Sequence, residues 1–239
     1  MGVAPNTSVD RLHARLVGVL RASGDPDRAE KEKAYQKSAW GHWGVSMPKM
    51  DAVIRETLKG VAEEGMLLDL SERLWSSPVW DLKIAAARIL AGSLCRPSAS
   101  IWRFVLRRMS DLDGWAVADN LANVGARCII DDPRRLDKVE TWVESRHLWT
   151  RRAALVFTLP WTKPGRDPER MLSWAARLAP DREWFIQKAI GWWLRELSKH
   201  DPARVRGFLT DHGAALKGFA RREATKYLPE EEAPASPPG

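Results

Sequence analysis

The chain has 239 residues, 44% hydrophobic and 29% charged, a composition typical of a folded protein that can bury a sizeable core. Its formal net charge of +7 makes a polyanion the expected partner, and nucleic acid is favoured over a membrane because no amphipathic Lys/Arg helix stands apart. The two cysteines, Cys95 and Cys128, exclude a disulfide framework and a zinc site, and no other metal or cofactor is indicated.

Helical patterns fill the chain from its first residues onward. Apolar residues at helical spacing predict a first helix, with Leu12, Leu16, Val19 and Leu20 on its apolar face. Gly24-Asp25-Pro26 closes this helix and opens a densely charged second helix that carries Tyr35. Similar patterns continue to Tyr227 without the two-residue alternation of strands, so the sequence predicts an all-α fold.

The ends of the chain differ from the segment between them. We expect a flexible N-terminal tail at residues 1–7 and a single repeat domain at residues 8–228. Residues 229–239 are rich in Glu, Pro, Ala and Ser and cannot bury a core, so we expect a disordered C-terminal tail. The chain has no stretch of membrane-span length and no secretory signal pattern, which predicts a cytoplasmic location.

Five aromatic residues recur with a nearly constant period. Spacings of 35, 34, 35 and 35 residues separate Trp80, Trp115, Trp149, Trp184 and Phe219, and Trp43 lies 37 residues before the first of them. Small or aliphatic residues follow at the fifth and sixth positions after most of these aromatics. A period of this length indicates a solenoid of HEAT-like helix pairs, which we expect to form a right-handed superhelix with a basic concave groove.

The repeat also aligns the polar positions of successive helices. The third position after the aromatic is basic in three repeats, at Lys83, Arg152 and Arg222, and the fourth is Lys188 in another. We therefore expect these side chains to form a basic edge that lines a concave strip. Eight residues after Trp184 lies Trp192, which we expect to be exposed or merely packed, whereas Trp193 falls beside the apolar stripe and is expected in the core.

The segment Leu112–Asn120 carries the most informative pair of residues. In a helix, Trp115 and Asp119 share one face, which places an indole beside a carboxylate on a basic chain. The carboxylate could simply pair with Lys83 or Arg152 from neighbouring repeats. Alternatively, it could be held in a basic groove to meet a substrate that is cationic or becomes so.

The chain resembles the AlkD-type DNA alkylation-repair glycosylases, a HEAT-like repeat family. The most specific part of the resemblance is the run Trp184–Glu196, whose centre reads Phe-Ile-Gln-Lys-Ala-Ile-Gly-Trp. Matches in the same order extend from about Leu12 to Leu228 and include Tyr35, Trp115 with Asp119, Leu148-Trp149 with Arg152, and Ala220–Ala224. One departure is Ala116, where relatives commonly carry an acidic residue.

The resemblance implies a function and a set of site residues. It implies excision of N3- and N7-alkylated purines, such as 3-methyladenine and 7-methylguanine, from duplex DNA in base excision repair. We also expect the protein to be a monomer that associates with the bacterial nucleoid through DNA. By family role, Asp119 would be the catalytic carboxylate, and Trp115 and Trp192 would be aromatic walls of the site. Arg152 and Tyr35 would contact DNA, and Lys83, Lys188 and Arg222 would help to hold the phosphates.

Two other functions remain compatible with the sequence. The first is a non-catalytic HEAT-like protein that recognises damaged or branched DNA, which the intact Trp115, Asp119 and Trp192 disfavour. The second is a HEAT scaffold for protein partners, which the basic positions and the dense family match disfavour.

Overall fold

The structure, a computed structural model, describes residues 7–61 and 63–229. Residues 1–6 of the expected N-terminal tail and 230–239 of the expected C-terminal tail lie outside the described residues. The chain divides into two compact units, Met1–Lys138 and Val139–Gly239, which are called the N-terminal unit and the C-terminal unit below. The expectation of a single domain over residues 8–228 stays a prediction.

The described residues of the N-terminal unit contain seven complete α-helices. They are α1 (Thr7–Ala22), α2 (Pro26–Gln36), α3 (Met47–Thr57), α4 (Glu64–Trp75), α5 (Trp80–Ala91), α6 (Ala99–Arg108) and α7 (Trp115–Asp131). Helix α5 packs against α3, α4 and α7, and α6 packs against α7, so that consecutive helix pairs share one core.

The short helix α8 (Leu136–Glu140) spans the boundary between the units. The C-terminal unit contains α9 (Leu148–Val156), α10 (Glu169–Leu178), α11 (Trp184–Ser198), α12 (Pro202–His212) and α13 (Gly218–Thr225). Helix α11 packs against α9, α10, α12 and α13. Across residues 7–61 and 63–229 the structure contains no strand, only an isolated bridge between Gly41 and Val79, which confirms the all-α prediction.

No helix within the described ranges combines the length and apolar character that crossing a membrane requires.

Local sequence signals explain where several helices begin. Asp25 caps α2 by accepting a hydrogen bond from the Arg28 amide, and Pro26 occupies the first turn, as the sequence predicts. The same combination opens α12, where Asp201 accepts from the Arg204 amide ahead of Pro202. Ser98 caps α6 through the Ile101 amide.

The aromatic period is confirmed as a repeat of helix starts. Trp80, Trp115 and Trp184 are the first residues of α5, α7 and α11, and Trp149 and Phe219 are the second residues of α9 and α13. Each of these helices is the second member of a pair. Trp43 departs from the pattern because it lies between α2 and α3.

Small or aliphatic residues after the aromatics form the packed face of these helices. The side chains of Ala85, Ala86, Ala154, Leu155, Ala189, Ile190 and Ala224 are all buried. At Gly191 a Cβ atom would lie only 2.9 Å from the carbonyl oxygen of Ala220, so the contact between α11 and α13 requires glycine there.

Candidate active site

Helix α7 presents Trp115 and Asp119 together at the accessible side of the N-terminal unit. Ala116, Val117 and Ala118 are buried and fix the rotation of the helix, so Trp115 and Asp119, one turn apart, are left half-buried. This arrangement agrees with the shared face that the sequence predicts.

A second helix brings Tyr35 to the same place. The ring of Tyr35, near the end of α2, meets the indole of Trp115 edge-on, with centroids 6.1 Å apart and planes at 84°. The Tyr35 side chain remains 73% exposed, so most of it is open to a ligand. Two sequence-predicted site residues, 80 positions apart in the chain, therefore form one aromatic corner.

Polar contacts tie this face of α7 to the preceding repeats. Asn120 donates through Nδ2 to the carbonyl of Ala116, and its Oδ1 accepts from Nη1 of Arg88 at 3.3 Å. The Arg88 guanidinium in turn makes two hydrogen bonds to the carboxylate of Asp51 on α3. This chain of contacts restrains the residue next to Asp119.

The structure places Lys83 inside the N-terminal unit. Its side chain is 6% exposed, and its amine donates to the carbonyl oxygen of Trp75 and lies 4.4 Å from the ring centroid of Trp40. Burial lowers the pKa of Lys83 from its ordinary value, an effect that the charge of Asp111 partly opposes.

The four side chains of the predicted basic edge differ in exposure. Lys83 and Arg152 are buried, Lys188 is half-buried and Arg222 is exposed. The buried Lys83 donates to the carbonyl of Trp75, at the end of the preceding helix. Gln187, at the equivalent position of α11, donates to the carbonyls of Ala179 and Asp181, which follow α10. The expectation that Lys83 and Arg152 contact DNA stays a prediction.

In the C-terminal unit, α11 carries two further candidate residues on one face. Lys188 is half-buried with its amine 3.8 Å from Glu223, and Trp192 is half-buried one turn later. Trp193 is fully buried and donates through Nε1 to the carbonyl of Thr158 at 3.3 Å, which confirms its predicted place in the core. Arg222 lies exposed on α13, and Arg152 is 4% exposed on α9.

Residues 16–228 match the family described as DNA alkylation repair enzyme. The chain belongs to this family. No curated protein matches the chain.

Solved structures of similar fold include two from bacteria. A predicted DNA alkylation repair enzyme from Enterococcus faecalis is 22% identical, with 87% of this chain and 98% of that chain covered and a TM-score of 0.73. AlkD2 from Streptococcus mutans is 18% identical, with coverage of 92% and 99% and a TM-score of 0.64. At these identities the likeness shows a shared helical-repeat fold.

Sequence reasoning missed two carboxylates that hold the backbone near the candidate site, Asp81 and Asp113. Asp81 is fully buried and accepts from the backbone amides of Trp43 and Val45 at 2.8 and 2.9 Å. Asp113 accepts from the Ser38 hydroxyl at 2.8 Å and from the Ala39 amide at 3.4 Å. The sequence offered a signal for Asp81 alone, which is an aspartate directly after Trp80 at the start of an otherwise apolar helix.

The cysteines offer no reactive group. Cys95 and Cys128 are both free and buried, and burial raises the pKa of each thiol to about 11. Both therefore stay uncharged near neutral pH and are poor nucleophiles and poor metal ligands.

Proposed function

We propose that this protein is a monofunctional DNA glycosylase that excises N3- and N7-alkylated purines from duplex DNA. The observation that carries the proposal is the pair on α7, in which Asp119 follows Trp115 by one turn in a member of the DNA alkylation repair enzyme family. The contact between Tyr35 and Trp115 gives that pair an open aromatic neighbour.

The residues suit the chemistry of this reaction. Alkylation at N3 or N7 makes the purine cationic, which weakens its bond to C1′ and makes the neutral alkylated base a good leaving group. As that bond breaks, positive charge develops on the sugar, as it does in glycoside hydrolysis. The carboxylate of Asp119 would stabilise this charge while water adds its oxygen to C1′ and releases a proton, leaving an abasic sugar and the free base.

Other predicted site residues would hold the substrate. The indoles of Trp115 and Trp192 would provide faces that favour positive charge and the apolar edge of a sugar. Arg152, Tyr35, Lys83, Lys188 and Arg222 would contact DNA, and of these Tyr35 and Arg222 are already exposed. We propose that the protein acts on DNA as a cytoplasmic monomer and needs no cofactor.

Single-turnover release of 7-methylguanine and 3-methyladenine from methylated duplex DNA tests the proposal. Asp119→Asn should lower the rate on the order of a hundred- to a thousand-fold, because it removes a preorganised charge but keeps the shape of the side chain. DNA affinity should be retained or rise, since one negative charge is lost.

A matched control is Asp69→Asn, which removes an exposed carboxylate from α4 and should excise at the parental rate. Binding of methylated duplex without any base release by the parent would contradict the proposal and favour a non-catalytic damage-binding protein. Excision by Asp119→Asn at the parental rate would remove Asp119 from the mechanism.

A further inference from the structure

Helix α2 holds Tyr35 at the candidate site without burying any of its own residues. Helices in folded proteins are normally placed by an apolar face that packs into the core. Because α2 has no fully buried residue, the contacts that hold its two ends carry more weight in fixing the position of Tyr35.

The N-terminal end of α2 is fixed through the backbone. The Asp25 amide donates to the carbonyl of Trp43 at 2.9 Å, and Gly44 adopts a positive φ of 74° that lets the two segments lie in contact. A Cβ at Gly44 would lie 2.2 Å from the carbonyl oxygen of Asp25, so only glycine allows this approach.

The C-terminal end of α2 continues into residues 37–46, which we call the anchor segment. Its middle is held on α5: the Gly41 carbonyl accepts from the Trp80 amide at 2.8 Å, and the His42 ring stacks on Trp80 with centroids 4.9 Å apart. Its far end is held by Asp81 through the amides of Trp43 and Val45. These contacts fix the anchor segment but lie away from Tyr35 in the chain.

Asp113 links the α2 end of the anchor segment to the start of α7, the helix of the candidate site. It accepts from Ser38 and Ala39, three and four residues after Tyr35. It also lies two residues before Trp115, at the start of α7. The carboxylate of Asp113 therefore ties the backbone just after Tyr35 to the backbone just before Trp115.

We propose that Asp113 is a positioning residue of the lesion site, which holds the end of α2 so that Tyr35 meets Trp115. This inference rests on the proposed function, because it assumes that the corner formed by Tyr35 and Trp115 contacts damaged DNA. A contact surface that is fixed before binding loses less conformational freedom on binding. Release of the Ser38 bond would free α2 and weaken DNA binding without removing any group that touches DNA.

A different role for Asp113 makes different predictions. A carboxylate near a helix N-terminus also stabilises the helix through its charge alone. That role needs the charge but not Ser38, whereas positioning needs a hydrogen-bond acceptor but not the charge.

The experiment is a double-mutant cycle on Ser38→Ala and Asp113→Ala, with Asp113→Asn as the conservative variant. Each alanine variant should bind a duplex with an abasic-site analogue roughly threefold to tenfold more weakly, the loss expected for one hydrogen bond. The double variant should bind no more weakly than either single variant. Asp113→Asn should bind like the parent, because its carboxamide oxygen still accepts from Ser38.

Amide hydrogen exchange of residues 30–40 provides a readout that does not depend on DNA. Exchange should be faster in both alanine variants and unchanged in Asp113→Asn and in the Asp69→Asn control. Tyr35→Ala should remove the effect of Asp113→Ala on binding, because the positioned group is then absent.

The outcomes separate the two proposals. Parental binding by Ser38→Ala, or an Asp113→Asn variant as weak as Asp113→Ala, would overturn the positioning role. A parent that binds duplex but releases no base would contradict the proposed function alone, and the cycle would still decide the role of Asp113. A parent that binds no duplex would overturn both.

Discussion

Helices α2 and α5 lie in the same unit and are held in place by opposite means. Ten of the twelve residues of α5 are buried, whereas α2 buries none of its eleven. Apolar packing fixes α5, while hydrogen bonds at the two ends fix α2. A helix that adds no buried residue to the core can therefore present an exposed side chain such as Tyr35, provided that the core supplies polar anchors.

The largest effect on stability should come from the packed helix. Ile84→Ala in α5 removes a fully buried side chain and should lower the free energy of unfolding by about 2–5 kcal/mol, through lost burial and a residual cavity. Chemical denaturation measures this difference.

The matched change in α2 is Lys31→Ala, which truncates an exposed side chain. It should alter the free energy of unfolding by about 0.5 kcal/mol or less. A loss similar to that of Ile84→Ala would show that α2 contributes to the core in a way that its burial does not reveal.

A smaller but still clear loss of stability is expected at Asp81, through which α5 holds the anchor segment that follows α2. Asp81→Ala leaves the amides of Trp43 and Val45 without their acceptor, and an unsatisfied buried donor, here that of Val45, costs about 1–3 kcal/mol. Because water can reach a loosened segment, the total loss should stay below that of Ile84→Ala. Thermal melting measures it.

The conservative variant gives the control for this prediction. Asp81→Asn keeps one acceptor oxygen and should recover part of the lost stability. Equal melting temperatures for Asp81→Ala and the parent would show that the anchor segment does not depend on this carboxylate.

The difference between α2 and α5 also explains what the sequence could and could not predict. The aromatic period, the buried Trp193 and the shared face of Trp115 and Asp119 follow from helical spacing alone, and the structure agrees with all three. Spacing correctly aligned Lys83 and Gln187, but it could not show that they turn toward the carbonyl groups that end the preceding helix.

The anchors of α2 were beyond such reasoning for a physical reason. Asp81 binds amides 36 and 38 residues away, and Asp113 binds groups 74 and 75 residues away. Long-range hydrogen bonds to the backbone of an irregular segment have no periodic signature and no preferred partner residue type. The contact of Tyr35 with Trp115 joins residues 80 positions apart and likewise could not be derived from residue spacing.

The smallest predicted effect concerns His42, which lies in the anchor segment and stacks on Trp80 of α5. Burial lowers the pKa of His42 from its ordinary value of 6.5, and Lys33 adds to this effect, whereas the charges of Asp81 and Asp113 oppose it. The folded protein therefore takes up this proton less readily than the unfolded chain. Above the ordinary pKa both states are neutral at this residue and the full stability is present; as the pH falls through 6.5, the unfolded chain binds the proton first and stability decreases.

The variant His42→Phe isolates this contribution because it keeps a ring against Trp80 but cannot titrate. Its stability relative to the parent should increase as the pH is lowered from about 8 to about 5, which denaturation at several pH values measures. His13 has a pKa lowered in the same direction, first by burial and then by Arg73, so the parent and His42→Phe share that part of the pH dependence and it cancels in the difference. The effect should be small because it involves one proton, and because the two carboxylates that hold the anchor segment also partly favour the charged ring. Parallel pH profiles for the two proteins would mean that His42 is equally easy to protonate in the folded and unfolded states. Water would then reach the His42 ring despite its contact with Trp80 of α5.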